Sequence, residues 1–305
     1  MGAAAEAPQG PAGLPPYPGF KEASIAVLDR LRQRAPLGLW MVTRTWGDDW
    51  VVLSTQGAGY DVTDGTVLRW SDSFCSRMVR GEGPRVAPRT DDVPAYAATP
   101  VARQLKIGAY VGVPLEDRRG GLFGTLCAVD QSPQSDDLLG LQTDVELYAR
   151  LLSTILAREL DIADARRLAS TQEALVDSDT GLPGHVALTT RLVEEEEHAR
   201  LYGGPVSVVV IDAKPDAIPA IAAAAQTVLG DSTWLFARAS PDALVVLAPE
   251  AGAMDALRIT DGLQRSFAAA HLAAGLGVSV RSPGGVSSLR DALEEAESQA
   301  RQALR

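Results

Sequence analysis

The sequence has few cysteines, a deficit of basic charge and no long uncharged apolar run. Two cysteines, Cys75 and Cys127, are too few for a disulfide framework or a cysteine-rich zinc site, so we expect a reducing, cytoplasmic setting. With 28 basic against 39 acidic residues, the formal charge of −11 argues against DNA or RNA as a partner. The most apolar helical run, AIPAIAAAAQTVLG, is too short for a membrane span, and no secretory signal is visible.

The remaining composition is that of a soluble chain long enough for two domains, with 305 residues of which 46% are apolar. Residues 1–19 are rich in alanine, proline and glycine and predict a disordered tail. A helix is predicted from Phe20 to Arg34. Four strands follow, with a partly helical insert at 61–105: LGLWMVTRTWG, DWVVLSTQG, AYVGVPLE and LFGTLCAVDQ. This order favours an antiparallel sheet with helices on one face.

A long helix is predicted over 135–176. It carries an apolar stripe at alternating steps of four and three residues, which is typical of a coiled-coil seam: Leu141, Val145, Tyr148, Leu152 and Ile155. We therefore expect a homodimer through the 136–176 helix. The alternative is a terminal helix that packs on its own sheet.

The second half, 177–305, shows a β–α–β–β–α–β order that is typical of ferredoxin-like and nucleotide-cyclase-like sheets. The predicted fold class is therefore α+β. It has two domains, each an antiparallel or mixed sheet flanked by helices, joined by a long helix.

Two family resemblances follow from short motifs. Residues 20–160 resemble a GAF domain through SDSFCSRMV, IGAYVGVPL and GGLFGTLCAVD. Residues 177–305 resemble a GGDEF domain, the diguanylate cyclase fold, through DSDTGLPGH, VSVVVIDAK, RASPDALVVLAP, GLGVSV and ALEEAESQARQAL. The first resemblance implies a sensor with a small-molecule pocket, and the second implies synthesis of cyclic di-GMP from GTP with two Mg²⁺ or Mn²⁺ ions.

The GGDEF resemblance places metal-binding acids at Asp212 and Asp242 and a basic residue at Arg238. The signature turn departs from the family's Gly-Gly-Asp/Glu-Glu-Phe pattern. Its glycines become Ser240 and Pro241, its fourth position is Ala243 and its fifth is Leu244. A proline ring removes one N–H donor, and alanine can neither bind metal nor accept a proton. The family's inhibitory R-x-x-D site, at 231–234, and its guanine-reading residues have no counterparts. We expect a vestigial site and no enzyme activity.

The GAF resemblance implies a pocket between the sheet and the insert. Its expected lining residues are Trp70, Phe74, Cys75, Met78, Arg85, Tyr96 and Tyr110, with Arg89, Asp91 and Asp92 as further polar anchors. The alternative for each is an ordinary place in the core or on a solvated loop. A cysteine in an apolar helix is typical of a small buried hydrophobe, and a redox role for Cys75 stays open.

The functional expectation is a cytoplasmic, bacterial-type signalling protein. Its GAF sensor controls an inactive GGDEF-like domain that acts by allostery or through a protein partner. Two alternatives remain: an effector that binds GTP or cyclic di-GMP without turnover, and a weak or partner-activated cyclase. No cofactor is assigned. A small molecule in the GAF pocket and a magnesium nucleotide in the second half both stay open.

Overall fold

The computed structural model describes residues 15–172, 175–230 and 232–304. The predicted tail falls mostly on residues 1–14, and the segment expected to lack the family's inhibitory site begins at Asp231. Residues 1–14 and Asp231 lie outside the described residues. The first half contains, in chain order, α1 (Phe20–Arg34), β1 (Leu39–Trp46), β2 (Asp49–Gly57), β3 (Val67–Arg69), α2 (Phe74–Val79), β4 (Val86–Ala87), α3 (Pro94–Ala97), α4 (Pro100–Gln104), β5 (Ala109–Glu116) and β6 (Leu122–Asp130).

These strands form one antiparallel sheet in the order β3-β2-β1-β6-β5-β4. Strand β1 is buried on both faces because the sheet is covered on both. Trp40 and Val42 pack into the core beneath the helices, while Leu39 and Met41 face the insert. This two-residue alternation is the geometry of a strand. The insert therefore closes a second, smaller apolar layer on the sheet.

The long helix α5 spans Gln142–Gln172 and follows a 3₁₀ turn at Asp136–Leu141, so it begins later than the predicted 135. Its apolar stripe packs against its own sheet: Leu141, Val145 and Leu152 are buried in the first core, with Tyr148 and Ile155 half-buried beside them. The interpretation of this stripe as a dimer seam was wrong, because α1 and β5 already cover it. The prediction of a homodimer itself stays a prediction.

The second half contains α6 (His185–Tyr202), β7 (Val206–Asp212), α7 (Ile218–Leu229), β8 (Leu235–Ser240), β9 (Ala243–Pro249), α8 (Ala253–Ala269), β10 (Gly275–Arg281) and α9 (Leu289–Ala303). The strands form an antiparallel sheet in the order β10-β7-β9-β8. Helices α7 and α8 pack on one face, and α6 and α9 pack on the other. The α+β class and the ferredoxin-like order of strands are confirmed.

Helix α9 lies unusually close to β10. A Cβ atom at Gly277 would stand 1.9 Å from the carbonyl oxygen of Ala296, so only glycine permits this approach. Within the described ranges, no helix combines the length and the apolar character that a membrane crossing requires.

Candidate functional site

The hairpin between β8 and β9 is a two-residue turn built by Pro241 and Asp242. Ser240 pairs with Ala243 across it, and the register shifts by one residue between Arg238 and Ser240. Because proline holds φ near −65°, this turn differs from the glycine-rich hairpin turns with positive φ. The Ser240 hydroxyl donates to the Asp242 carboxylate. The carboxylate of Asp242 is therefore already hydrogen-bonded within the turn.

The Arg238 guanidinium lies between the turn and the loop before α6: it donates to the carbonyls of Ser240 and Pro241 at 3.3 Å and to carboxylates of that loop. Its Nη1 lies 2.8 Å from both carboxylate oxygens of Asp177 and 2.9 Å from Asp179. Its backbone N–H donates to the carbonyl of Pro183 at 2.8 Å. The hydrogen bond from Arg238 lowers the pKa of Asp177 below its ordinary value. The basic residue of the hairpin is therefore already neutralised by the DSDTGLP segment.

Asp212 ends β7 and lies opposite Ala243 on β9 and Gly275 on β10. It is only 8% exposed. Burial raises the pKa of its carboxyl, and the nearby charge of Asp242 raises it further. The Ala213 N–H donates to the Asp242 carbonyl at 2.9 Å, so Asp212 and Asp242 lie at neighbouring strand ends.

A pair of catalytic metal ions needs several oxygen ligands around both positions. Here Asp212 and Asp242 are the carboxylates at the strand ends, one of them holds Ser240, and Ala243 supplies none. Across the described part of the chain, no group of three or more His, Cys, Asp or Glu side chains could hold a metal ion. This donor set does not fit a two-metal site.

In the first half, a cavity of about 40 Å³ lies between the sheet and the insert. Three of the predicted pocket residues, Phe74, Cys75 and Tyr110, line it. They are joined by residues that the sequence motifs did not indicate, among them Leu39, Met41, Trp50, Tyr60 and Cys127. The cavity is far below the roughly 300–1,000 Å³ of a pocket for a nucleotide-sized ligand.

Aromatic packing explains why so little space remains. The rings of Phe74 and Tyr96 stack with centroids 4.8 Å apart, and Tyr110 meets them edge-on at 5.6 and 5.2 Å. Met78 is buried in the same cluster and Trp70 packs at its edge. These predicted pocket residues fill the interior with each other.

The predicted polar anchors lie elsewhere. Arg85 pairs with Glu146 on α5 at 2.6 Å, and Arg89 pairs with Asp92 and Asp136. Asp91 is exposed. The expectation that Arg85 anchors a ligand in the pocket was wrong, because its partner draws it to the outer surface of the domain.

A junction between the halves was not foreseen. Arg44 on β1 is buried, donates to the Tyr202 carbonyl at 2.8 Å and pairs with the Glu250 carboxylate just after β9. Glu250 has φ of 58°, a strained value for a residue other than glycine. Gly204 leaves room for the pair, since a Cβ atom there would stand 2.5 Å from a Glu250 oxygen. No short sequence motif marks these partners, which are 206 residues apart.

A second set of contacts joins α5 to α6. Arg167 donates to both oxygens of the buried Glu195, at 2.6 and 2.7 Å. Arg191 donates to the carbonyl of Arg167 and to the hydroxyls of Ser170 and Thr171. Beside these contacts, an open cleft of about 1620 Å³ separates the β2–β3 loop from α6 and α9. Beyond the cleft the halves meet again, where Gly284 lies against Gly65 and Val67.

Comparison with known proteins identifies the first half. The model of the GAF domain family matches residues 21–160. No curated protein matches the chain. Residues 21–160 therefore belong to the GAF domain family.

Solved structures with some similarity to this chain include both domain types. The diguanylate cyclase SiaD of Pseudomonas aeruginosa, in complex with its activator SiaC, is 20% identical; the match covers 55% of this chain and 74% of that one, with a TM-score of 0.39. The GGDEF domain of DgcB from Caulobacter crescentus, in complex with c-di-GMP, is 15% identical over 42% and 85%, with a TM-score of 0.37. The GAF domain of the Acinetobacter phosphoenolpyruvate-protein phosphotransferase is 14% identical over 47% and 86%, also with a TM-score of 0.37.

Proposed function

We propose that this chain is a cytoplasmic signalling protein in which a GAF domain controls a GGDEF-like domain that does not make cyclic di-GMP. The output of the second domain is a change in the surface that it presents to a protein partner. The strand order of the second sheet and the DSDTGLPGH and RASPDALVVLAP motifs support the GGDEF-like assignment.

The observation that carries the proposal is the state of the β8–β9 turn. Arg238 is held by Asp177 and Asp179, and the Ser240 hydroxyl is held by Asp242. Pro241 lacks an N–H, and Ala243 has no carboxylate to bind a metal ion. Apart from Asp212, the groups that would receive GTP phosphates and their metal ions are satisfied inside the protein or missing.

Control by the GAF domain is supported by the junction. Arg44 lies on β1, in the sheet that also lines the GAF cavity. Its guanidinium pairs with Glu250, the residue directly after β9. A shift of β1 would therefore pull on the end of β9. The strained backbone at Glu250 is held by Arg44 and by the hydrogen bond from its N–H to Pro205.

A turnover assay tests the proposal. The full-length chain is incubated with GTP and Mg²⁺ or Mn²⁺, and products are separated by chromatography and identified by mass. We expect no more cyclic di-GMP than from the Asp242→Asn variant. Cyclic di-GMP formed by the natural chain and abolished by Asp242→Asn would overturn the proposal and favour a weak cyclase.

A second candidate is binding of a magnesium nucleotide without turnover. One observation favours it: Asp242 lies beside the end of β7, where its carbonyl accepts from the Ala213 N–H at 2.9 Å, and its charge raises the pKa of Asp212. A divalent cation between the two carboxylates would relieve that repulsion. Saturable binding without product would distinguish this candidate from the first.

A further inference from the structure

The GAF cavity contains two chemically reactive groups that the proposed function does not use. Cys75 on α2 and Cys127 on β6 both line it, and each is 1% exposed. The Tyr110 hydroxyl donates to the Cys75 sulfur at 3.3 Å, and the Thr125 hydroxyl donates to the Cys127 sulfur at 3.6 Å. The two thiols, which are distant in sequence, thus line one small cavity with a phenol beside them.

The surroundings make the two thiols unequal. Burial raises the pKa of Cys75, but hydrogen bonds to its sulfur, including that from the Tyr110 hydroxyl, outweigh it and bring the pKa below its ordinary value. The hydrogen bond with Cys75, together with burial, raises the pKa of Cys127. Because the thiolate is the nucleophile and the Tyr110 hydroxyl donates to the Cys75 sulfur at 3.3 Å, a bond that stabilises a thiolate, Cys75 is the attacking member of the pair.

The cavity limits what can reach these sulfurs. A water molecule needs at least about 10–15 Å³ of such space, so about 40 Å³ admits a molecule of very few heavy atoms. The lining is almost wholly apolar, from residues such as Leu39, Met41 and Val129. A charged reagent would lose its hydration there without compensation. A small neutral oxidant meets both conditions.

We propose that Cys75 and Cys127 form a peroxide-reactive thiol pair, in which a small neutral hydroperoxide oxidises Cys75 and Cys127 converts the product into a disulfide. The Cys75 thiolate attacks one peroxide oxygen, the O–O bond breaks, and the departing hydroxide takes a proton to become water. The resulting sulfenic acid is attacked by the Cys127 sulfur, the S–O bond breaks, and the departing hydroxide takes the Cys127 thiol proton and leaves as a second water. The two thiols supply the two electrons that reduce the peroxide.

This inference goes beyond the proposed function by giving the GAF domain a signal, and its chemistry can be tested without GTP. The chain has only two cysteines, so an intramolecular disulfide can join only Cys75 and Cys127. Met254 is 65% exposed and provides an internal reference for general oxidation.

The test treats the reduced full-length chain with increasing hydrogen peroxide. The reaction is quenched, the chain is unfolded, free thiols are alkylated, and peptides are mapped by mass. We expect both cysteines to lose alkylation together, as a linked peptide within one chain, at peroxide exposures that leave Met254 mostly unoxidised. Cys127→Ser should stop at a sulfenic acid on Cys75 that dimedone traps, and Cys75→Ser should give neither product.

Oxidised glutathione is the size control, because it is charged and far larger than the cavity. We expect it to leave both thiols of the folded chain reduced. The proposal is overturned if both thiols remain fully alkylatable once Met254 is oxidised, if the disulfide joins two chains, or if oxidised glutathione acts as fast as peroxide. Each of these outcomes is read from the natural chain alone, so the test does not depend on the folding of either variant.

Discussion

The junction between the halves and the β8–β9 hairpin each contain an arginine that binds both oxygens of one carboxylate. The two carboxylates differ in how far they are exposed to water. At the junction, Arg167 holds Glu195, whose side chain is 1% exposed. At the hairpin, Arg238 holds Asp177, whose side chain is 23% exposed, and Asp179, which is 61% exposed. The same chemistry therefore has two consequences. Breaking the buried pair would leave Glu195 as an uncompensated buried charge, whereas breaking the exposed pair would return its carboxylates to water.

The largest expected effect comes from breaking the buried pair. Arg167→Met leaves the Glu195 carboxylate buried without its main partner, and we expect a loss of about 3 kcal/mol in the free energy of unfolding. Equilibrium urea unfolding measures it. Arg118→Met is the matched control, because Arg118 pairs with the exposed Asp161 and Asp164 and should cost under about 1 kcal/mol. Equal losses in both variants would contradict the comparison.

A pH effect should follow from His198, which lies at the same junction beside Tyr202. Burial, with the charges of Arg167 and Arg44, lowers the pKa of His198 to about 3. The unfolded chain takes up this proton near pH 6.5 and the folded chain does not, so stability is lost as pH falls below about 6.5 and continues to fall toward pH 3. Between pH 7 and pH 5 we expect His198 to contribute roughly 2 kcal/mol of this loss.

The check is urea unfolding at both pH values. His198→Leu removes the titrating group and should reduce the acid loss by that amount, whereas His271→Asn removes an exposed imidazole at a positive φ that asparagine tolerates. We expect His271→Asn to keep the acid loss of the natural chain. An unchanged acid loss in His198→Leu would show that His198 is not the group responsible.

The smallest effect is expected at the hairpin. Arg238→Met should lower the free energy of unfolding by at most about 1 kcal/mol, because its carboxylate partners regain water. Its local effect should be larger than its global one: hydrogen exchange should speed up at the N–H of Arg238, which bonds to Pro183. A global loss as large as that of Arg167→Met would remove the distinction between the two regions.

Local patterns predicted the four long strands of the first sheet and the strands of the second, because apolar runs such as 39–42 and 206–211 and the short turns between strands are properties of nearby residues. The short strands β3 and β4 were not predicted. The GGDEF resemblance placed Asp212 and Asp242 as two acids of one site. What could not be predicted depends on distant partners. The apolar stripe of α5 predicts that Val145 and Leu152 are buried, but it does not identify the surface that buries them. The size of the GAF cavity depends on how three aromatic rings pack against each other. The partners of Arg238 and Arg44 lie 61 and 206 residues away.

A calorimetric titration of the full-length chain with magnesium GTP asks directly whether the β8–β9 turn still binds a nucleotide. We predict no saturable heat, and the same trace from the Asp242→Asn variant, because the turn has satisfied or lost its phosphate- and metal-binding groups. Saturable binding to the natural chain that Asp242→Asn removes would contradict this prediction and show a working nucleotide site at the β8–β9 turn.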